Sequence, residues 1–167
     1  MGVKHKTVKN DFPQVKKQLE ILNGTGVEVG VLKGEHAWLA SIHEYGCNIG
    51  VTPKMRAWLH YQGVHLKKST THIHIPERSF IRAGYDQNRE QVLAKASKLL
   101  ADVTAGKMTA RGCYQALGLE LSSKIKDYAV NLSDPPNSGF TIARKGSSNP
   151  LVDTGDMIGG ISWRVSK

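Results

Sequence analysis

Between Asp86 and Leu132 apolar residues return every three or four positions, and this recurrence restricts the fold more than any other feature of the chain. Val92, Ala96, Leu99, Leu100 and Val103 form one stripe, from Asp86 to Thr104. Cys113, Leu117, Leu121, Ile125 and Tyr128 form a second, over about residues 109–132, with Gly106 between the two. Spacing of this kind marks the buried face of an amphipathic helix, so the pattern predicts two long helices that need a surface to lie on. Gly112 and Gly118 fall inside the second stripe. Each costs about 1 kcal/mol relative to alanine, which predicts either a break in the helix or close packing by another backbone.

Strand-type alternation predicts that surface. From Thr25 to Leu32 valines alternate with small or polar residues, and Gly26 and Gly30 leave the backbone open to close approach. Val64 and Leu66, then Thr71 to Ile75, read as the arms of a β-hairpin with a basic tip at Lys67-Lys68-Ser69-Thr70, ended by Pro76. Ile161 to Val165 alternate as a last strand, 160–166. Three shorter helices complete the reading. In the first, Asn10 or Asp11 caps and Pro13 lies in the first turn, with Phe12, Val15, Leu19 and Leu22 inward before Asn23-Gly24. His36–Tyr45 has Trp38, Leu39, Ile42 and Tyr45 as its stripe and Gly46 as a left-handed cap. The third starts at Thr52-Pro53, with Met55, Trp58 and Leu59 inward, and closes at Gly63. The fold class expected is α+β: a mostly antiparallel sheet with two long helices packed on one face, plus extended loops and a hairpin. The 167 residues fit one domain, 1–167, with a long loop at 133–150 interrupted by a small element, Phe140–Lys145.

Lysine and arginine number 23 against 14 carboxylates, a net charge of +9. The excess sits on residues 1–20 and 54–82, whereas 21–53 are net acidic. Such a distribution favours an anionic neighbour, either nucleic acid or an acidic protein face. No apolar run reaches the length of a membrane span, the basic start has no apolar stretch behind it, and Lys6 breaks a myristoylation pattern. Cys47 and Cys113 form no CxxC and read as free thiols of a reducing cytoplasm.

Chemistry-bearing patterns are weak. His60, His65, His72 and His74 cluster, and His72 and His74 share one side of a strand, but Glu77 is the nearest acidic ligand and HExxH is absent. Exposed histidines on a hairpin account for the same pattern, so no metal site is expected. GxSxG, GxGxxG and GxxxxGK[ST] are missing, and Asp153-Thr154-Gly155-Asp156 reads as a capped turn before Met157-Ile158. Neither catalytic residues nor a cofactor are expected.

Five stretches in order carry a resemblance: Val27-Glu28-Val29-Gly30-Val31; Ala37 to Gly46, ending His43-Glu44-Tyr45-Gly46; Ile75-Pro76-Glu77-Arg78-Ser79-Phe80-Ile81-Arg82; Thr141 to Gly146; and Pro150-Leu151-Val152-Asp153-Thr154-Gly155-Asp156-Met157. In this order they resemble the head–tail joining, or neck and tail-completion, proteins of tailed bacteriophages and prophages. The segment Thr52–Thr71 departs from that pattern and reads as an insertion, giving an inserted hairpin at 52–75. The resemblance implies a non-enzymatic virion protein, assembled in a host bacterial cytoplasm. It implies a ring of copies, commonly six, between the head connector and the tail tube or tail terminator. Residues 51–75 and 133–150 are then the expected contact segments. Glu44, Gly46, Pro76, Arg78, Phe80, Asp153, Thr154 and Gly155 take architectural roles, with Pro76 and Arg78 fixing the turn out of the hairpin, Arg78 pairing a carboxylate such as Glu44, Phe80 in the core and Pro150–Gly155 turning into the last strand. Lys54, Arg56, Lys67 and Lys68 are candidates to face genome DNA in the lumen. The alternatives are a basic nucleic-acid-binding module and, less favoured, a histidine-site metalloenzyme.

Overall fold

The computed structural model describes residues 11–167; the basic arm before Asp11, with Asn10, lies outside the described residues. Elements follow in the order α1 (Phe12–Asn23), β1 (Gly26–Val31), α2 (Glu35–Tyr45), β2 (Cys47–Gly50), α3 (Pro53–Tyr61), β3 (His72–Ile75), α4 (Ile81–Thr104), α5 (Ala110–Asn131), α6 (Gly139–Lys145), α7 (Asp156–Gly159) and β4 (Ile161–Ser166).

Two long helices, α4 and α5, form as the periodicity predicts, although α4 starts at Ile81 rather than Asp86. They do not lie together on one sheet face: α4 packs chiefly on α5, and α5 carries the strands. Gly106 takes a positive φ of 71° between them, and the Thr109 hydroxyl caps α5 by accepting from the Gly112 amide at 3.1 Å. Lys95 pairs with Glu120 across the helices at 2.6 Å, and Lys124 donates to Gln91 at 2.7 Å. A β-carbon on Gly84 of α4 would lie 3.2 Å from Tyr128 of α5, so glycine brings these two helices close.

The strands β1 and β4 pair antiparallel, in register from Gly26↔Ser166 to Val31↔Ile161, and lie on α5. Their contact explains Gly118. A β-carbon there would sit 2.7 Å from the Trp163 ring, so α5 runs unbroken past the glycine and seats an indole on it. The neighbour is a side chain of β4 rather than a second backbone. Phe80, Ile125, Ala129, Leu151, Met157, Ile158 and Ile161 close the core, with Ala40 of α2. α1 packs on α4 and α5 and is tied to α5 by polar contacts. Gln18 accepts from the Ala110 amide at 2.8 Å, and the Tyr114 hydroxyl lies 2.8 Å from the Leu22 carbonyl and 2.6 Å from that of Thr25. Phe12, Leu19, Leu39 and Leu100, expected to face inward, are exposed.

Among the described residues helices dominate at 57%, and the strands form two small antiparallel pairs rather than one main sheet. The mixed class stands; the mostly-sheet architecture does not. The reason lies at 64–75. Val64–Leu66 is not a strand, and His72–Ile75 pairs with Cys47–Gly50, in register from Cys47↔Ile75 to Gly50↔His72. The ladder continues through the Val51 amide, which donates to the Thr71 carbonyl at 2.8 Å. A hairpin therefore exists, but its strands are β2 and β3, and α3 with the loop after it is the connection.

The buried face of α2 also differs from its apolar stripe. Ala40 and Glu44 are buried, whereas Trp38 is 69% and Tyr45 65% exposed. The small Ala40 lets the helix approach the core, and the large aromatics are left outside. Gly46 has a positive φ (66°), but with ψ at 170° it is not the left-handed cap. Glycine is required there by crowding, since a β-carbon would stand 2.8 Å from the Glu77 nitrogen and the Ile75 oxygen.

Candidate functional site

Glu44, Gly46, Pro76, Arg78 and Phe80 converge on a polar hub where α2 meets the start of α4, whereas Asp153 and Thr154 are exposed on the later turn. Phe80, in the N-cap position of α4, has no side-chain oxygen to accept from the helix's first amides. Glu44 supplies one from α2. Its carboxylate, 3% exposed, accepts from the Ile81 amide (2.8 Å), the Arg82 amide (3.0 Å), the Ser79 hydroxyl (2.9 Å) and Arg82 Nε (3.0 Å). A negative charge at a helix N-terminus also meets the favourable end of the dipole. Arg82 reaches on to Glu77 at 2.7 Å and stacks 4.8 Å over the Tyr45 ring.

Arg78 does not pair with Glu44, contrary to the sequence expectation. The Glu44 oxygens are taken up by α4, and Arg78, 5% exposed, points the other way. Its guanidinium donates to the Pro135 carbonyl (2.8 Å), the Pro136 carbonyl (3.0 Å) and Asn137 Oδ1 (3.3 Å). Its own amide donates to the His43 carbonyl at 2.7 Å. Burial among neutral acceptors pulls its pKa below the usual arginine value. Asn137 continues to the Asn149 carbonyl (3.3 Å), and Asn149 ties back to Leu151, Val152 and the Val130 carbonyl. Lys145 donates to the Asn149 and Pro150 carbonyls at 3.2 and 3.3 Å. The segment expected as a long loop at 133–150 is thus bonded to the hub and carries α6, capped by Ser138.

His43 stands at the edge of this cationic cluster. Its Nδ1 is buried without a hydrogen-bond partner among the described residues. Burial first, then the charges of Arg78 and Lys145, lower its pKa to about 4. Phe80 is fully buried, as expected. Pro150–Gly155 turns the chain into α7 before β4, with Gly155 at φ 90° and the Thr154 hydroxyl donating to Asp156 at 2.6 Å.

The histidines do not converge. His60 and His65 meet through their Nδ1 atoms at 2.7 Å, while His74 bonds Asn48 and His72 bonds Thr71. Among the described residues no three or more of His, Cys, Asp and Glu are placed to hold a metal ion. A groove of about 600 Å³ beside Gln87, Asn88, Lys124, Asp127 and Asn131 contains none of the motif residues.

No known protein family, curated protein or solved structure matches this chain. Among the described residues no helix is long and apolar enough to cross a membrane.

Of the four basic candidates, Lys54, Lys67 and Lys68 are exposed. Arg56 is not a free cation. Its guanidinium donates to the Leu66, Lys67 and Thr70 carbonyls and so staples the loop after α3 to the helix. Sequence reading missed Arg144 of α6, whose guanidinium lies 5.3 Å from the Trp58 ring centroid. Trp58 itself was expected inside and is 45% exposed; Leu59 is the residue of α3 that is buried.

Proposed function

We propose that this chain is a structural joint: a subunit that forms a closed ring, six copies as in the family it resembles, between the head connector and the tail of a tailed phage. The observation that carries the reading is the architectural use of the resembling stretches. Glu44, Arg78 and Phe80 are buried where α2 meets the start of α4, Leu151 of the turn at Pro150–Gly155 packs in the same core as Phe80, and each has a positioning task there. Outside the hub the chain keeps apolar side chains on two separate groups of elements. Trp38 and Tyr45 project from α2; Leu93, Leu100 and Leu119 project from α4 and α5. A ring requires two different faces of one subunit to meet, and these two groups lie on different elements. In this reading the protein belongs to the virion neck and touches tail tube or tail terminator on one side and connector on the other.

The test is reconstitution. Purified chain, mixed with tail tubes and with connector, is imaged by electron microscopy and its mass is measured. Rings capping the tube support the joint; tubes that stay bare while connector and tail unite without this chain overturn it.

A further inference from the structure

We propose that α3 and α6 together form a binding row for single-stranded nucleic acid, independent of whether the chain closes into a ring. On α3, Lys54, Trp58 and Tyr61 stand at positions i, i+4 and i+7, which places them on one helix face. Tyr61 is 86% exposed and Trp58 45%. On α6, Phe140 and Arg144 are again four residues apart, and Arg144 over the Trp58 ring joins the two faces. Two segments expected to reach a neighbour thus reach one another first, and they leave the Trp58 and Tyr61 rings in a row with a cation at Lys54 and another at Arg144.

Charge indicates what covers this row. No Asp or Glu occurs between Glu44 and Glu77, or between Asp134 and Asp153. Both segments therefore carry cations without a carboxylate of their own, and the exposed Lys67 and Lys68 add to the excess. Asp153 acts on Lys145, but Lys54 and Arg144 pair with no carboxylate among the described residues and are open to an anion from outside. The rings narrow its chemistry, because a flat exposed aromatic beside a cation takes an unpaired base on its face while the cation takes the phosphate. Trp58 and Tyr61 are about 4.5 Å apart along the helix axis, close enough to receive neighbouring bases. Duplex DNA presents its bases already stacked and gains only the charge contribution. An acidic polypeptide gains the charge and has no bases to stack.

Fluorescence anisotropy of a labelled 12-nucleotide oligothymidine with the full chain tests this. Binding is expected to be weaker for a duplex of equal length, and log affinity is expected to fall with log salt at a slope of about −1.4 to −2 for two or three phosphates. Tyr61→Ala should weaken binding about tenfold or more without changing that slope. Lys54→Ala and Arg144→Ala should each flatten the slope by about 0.7. All three positions are exposed, and circular dichroism of each variant checks that it is folded. Absence of binding, equal affinity for duplex, indifference to Tyr61→Ala, or displacement by polyglutamate as readily as by unlabelled oligothymidine would each overturn the proposal, the last in favour of an acidic protein partner. The measurement uses the free subunit, so its failure leaves the joint untouched, and a bare tail tube leaves this row untouched.

Discussion

Acid should weaken this fold through one side chain, His43. In the unfolded chain its imidazole takes a proton near pH 6.5, whereas in the folded chain burial and the facing charges of Arg78 and Lys145 hold that off until about pH 4. Between those values the unfolded state binds more protons, so stability is complete above pH 6.5, falls as pH drops and levels off below 4. Two and a half units correspond to about 3.4 kcal/mol in full, and at pH 5 about 2 kcal/mol of it has been lost. Water reaching part of the ring screens the effect, and 1–2 kcal/mol is the expected loss at pH 5, roughly. Glu28 and Glu120, whose carboxyls are held low by Arg164 and Lys95, contribute only below about pH 4.5. The window from 7.5 to 5 therefore isolates the histidine. Urea titrations at the two pH values should show the wild-type midpoint fall by about 0.5–1 M, taking a slope near 2 kcal/mol/M. His43→Leu places an apolar group where Nδ1 has no partner, and should lose that fall. If wild type and variant lose the same stability, or the wild type is flat across the window, the reasoning about His43 is wrong.

Two further substitutions probe the packing. Glu44→Ala strips the α4 N-terminus of its acceptor and leaves Arg82 Nε without its buried carboxylate, so stability should drop by about 3 kcal/mol. Glu44→Gln keeps one acceptor oxygen and should lose less; equal losses in urea would show that the hydrogen bonds at α4 do not matter. Gly118→Ala drives a methyl group to within 2.7 Å of the Trp163 ring and should cost about 1–3 kcal/mol, with a changed near-ultraviolet dichroism signal from the displaced indole. A variant as stable as wild type would mean that β4 does not seat on α5 as described.

Local patterns in the sequence made α4, α5, β1 and β4 readable, because each is long enough for its period to repeat. Thr52 with Pro53 marked a helix start through chemistry confined to a few residues. What stayed hidden was set by distant partners. In β2, Cys47-Asn48-Ile49-Gly50 offers only two inward positions, and its pairing with β3 is decided across the whole α3 connection. Hydrophobic size misled at α2, where the close approach of Ala40 and Glu44 to the core counts for more than the bulk of Trp38. Charge pairing misled at Arg78. A carboxylate and a guanidinium in neighbouring motifs suggested a bond, yet unsatisfied amides at α4 compete for the same oxygens and occupy them. The outward row was equally illegible, since only tertiary structure brings Arg144 to Trp58.

That last link gives the hub a consequence beyond stability. A buried guanidinium among neutral carbonyls is poor value as a stabiliser, because desolvating it offsets much of what its hydrogen bonds return. Direction is what it supplies. Arg78 fixes the carbonyls at 135 and 136, Asn137 carries the chain to Asn149, and between them α6 is held with Arg144 aimed at α3. Arg78→Lys keeps the charge but cannot span the Pro135, Pro136 and Asn137 acceptors with one ammonium. Hydrogen exchange should therefore accelerate at the Ile142 and Gly146 amides of this variant, at least tenfold, while α4 and α5 keep their protection. Unchanged exchange in α6, or a uniform rise along α4 and α5 as well, would mean that Arg78 supports the fold as a whole and does not aim the surface that α6 presents.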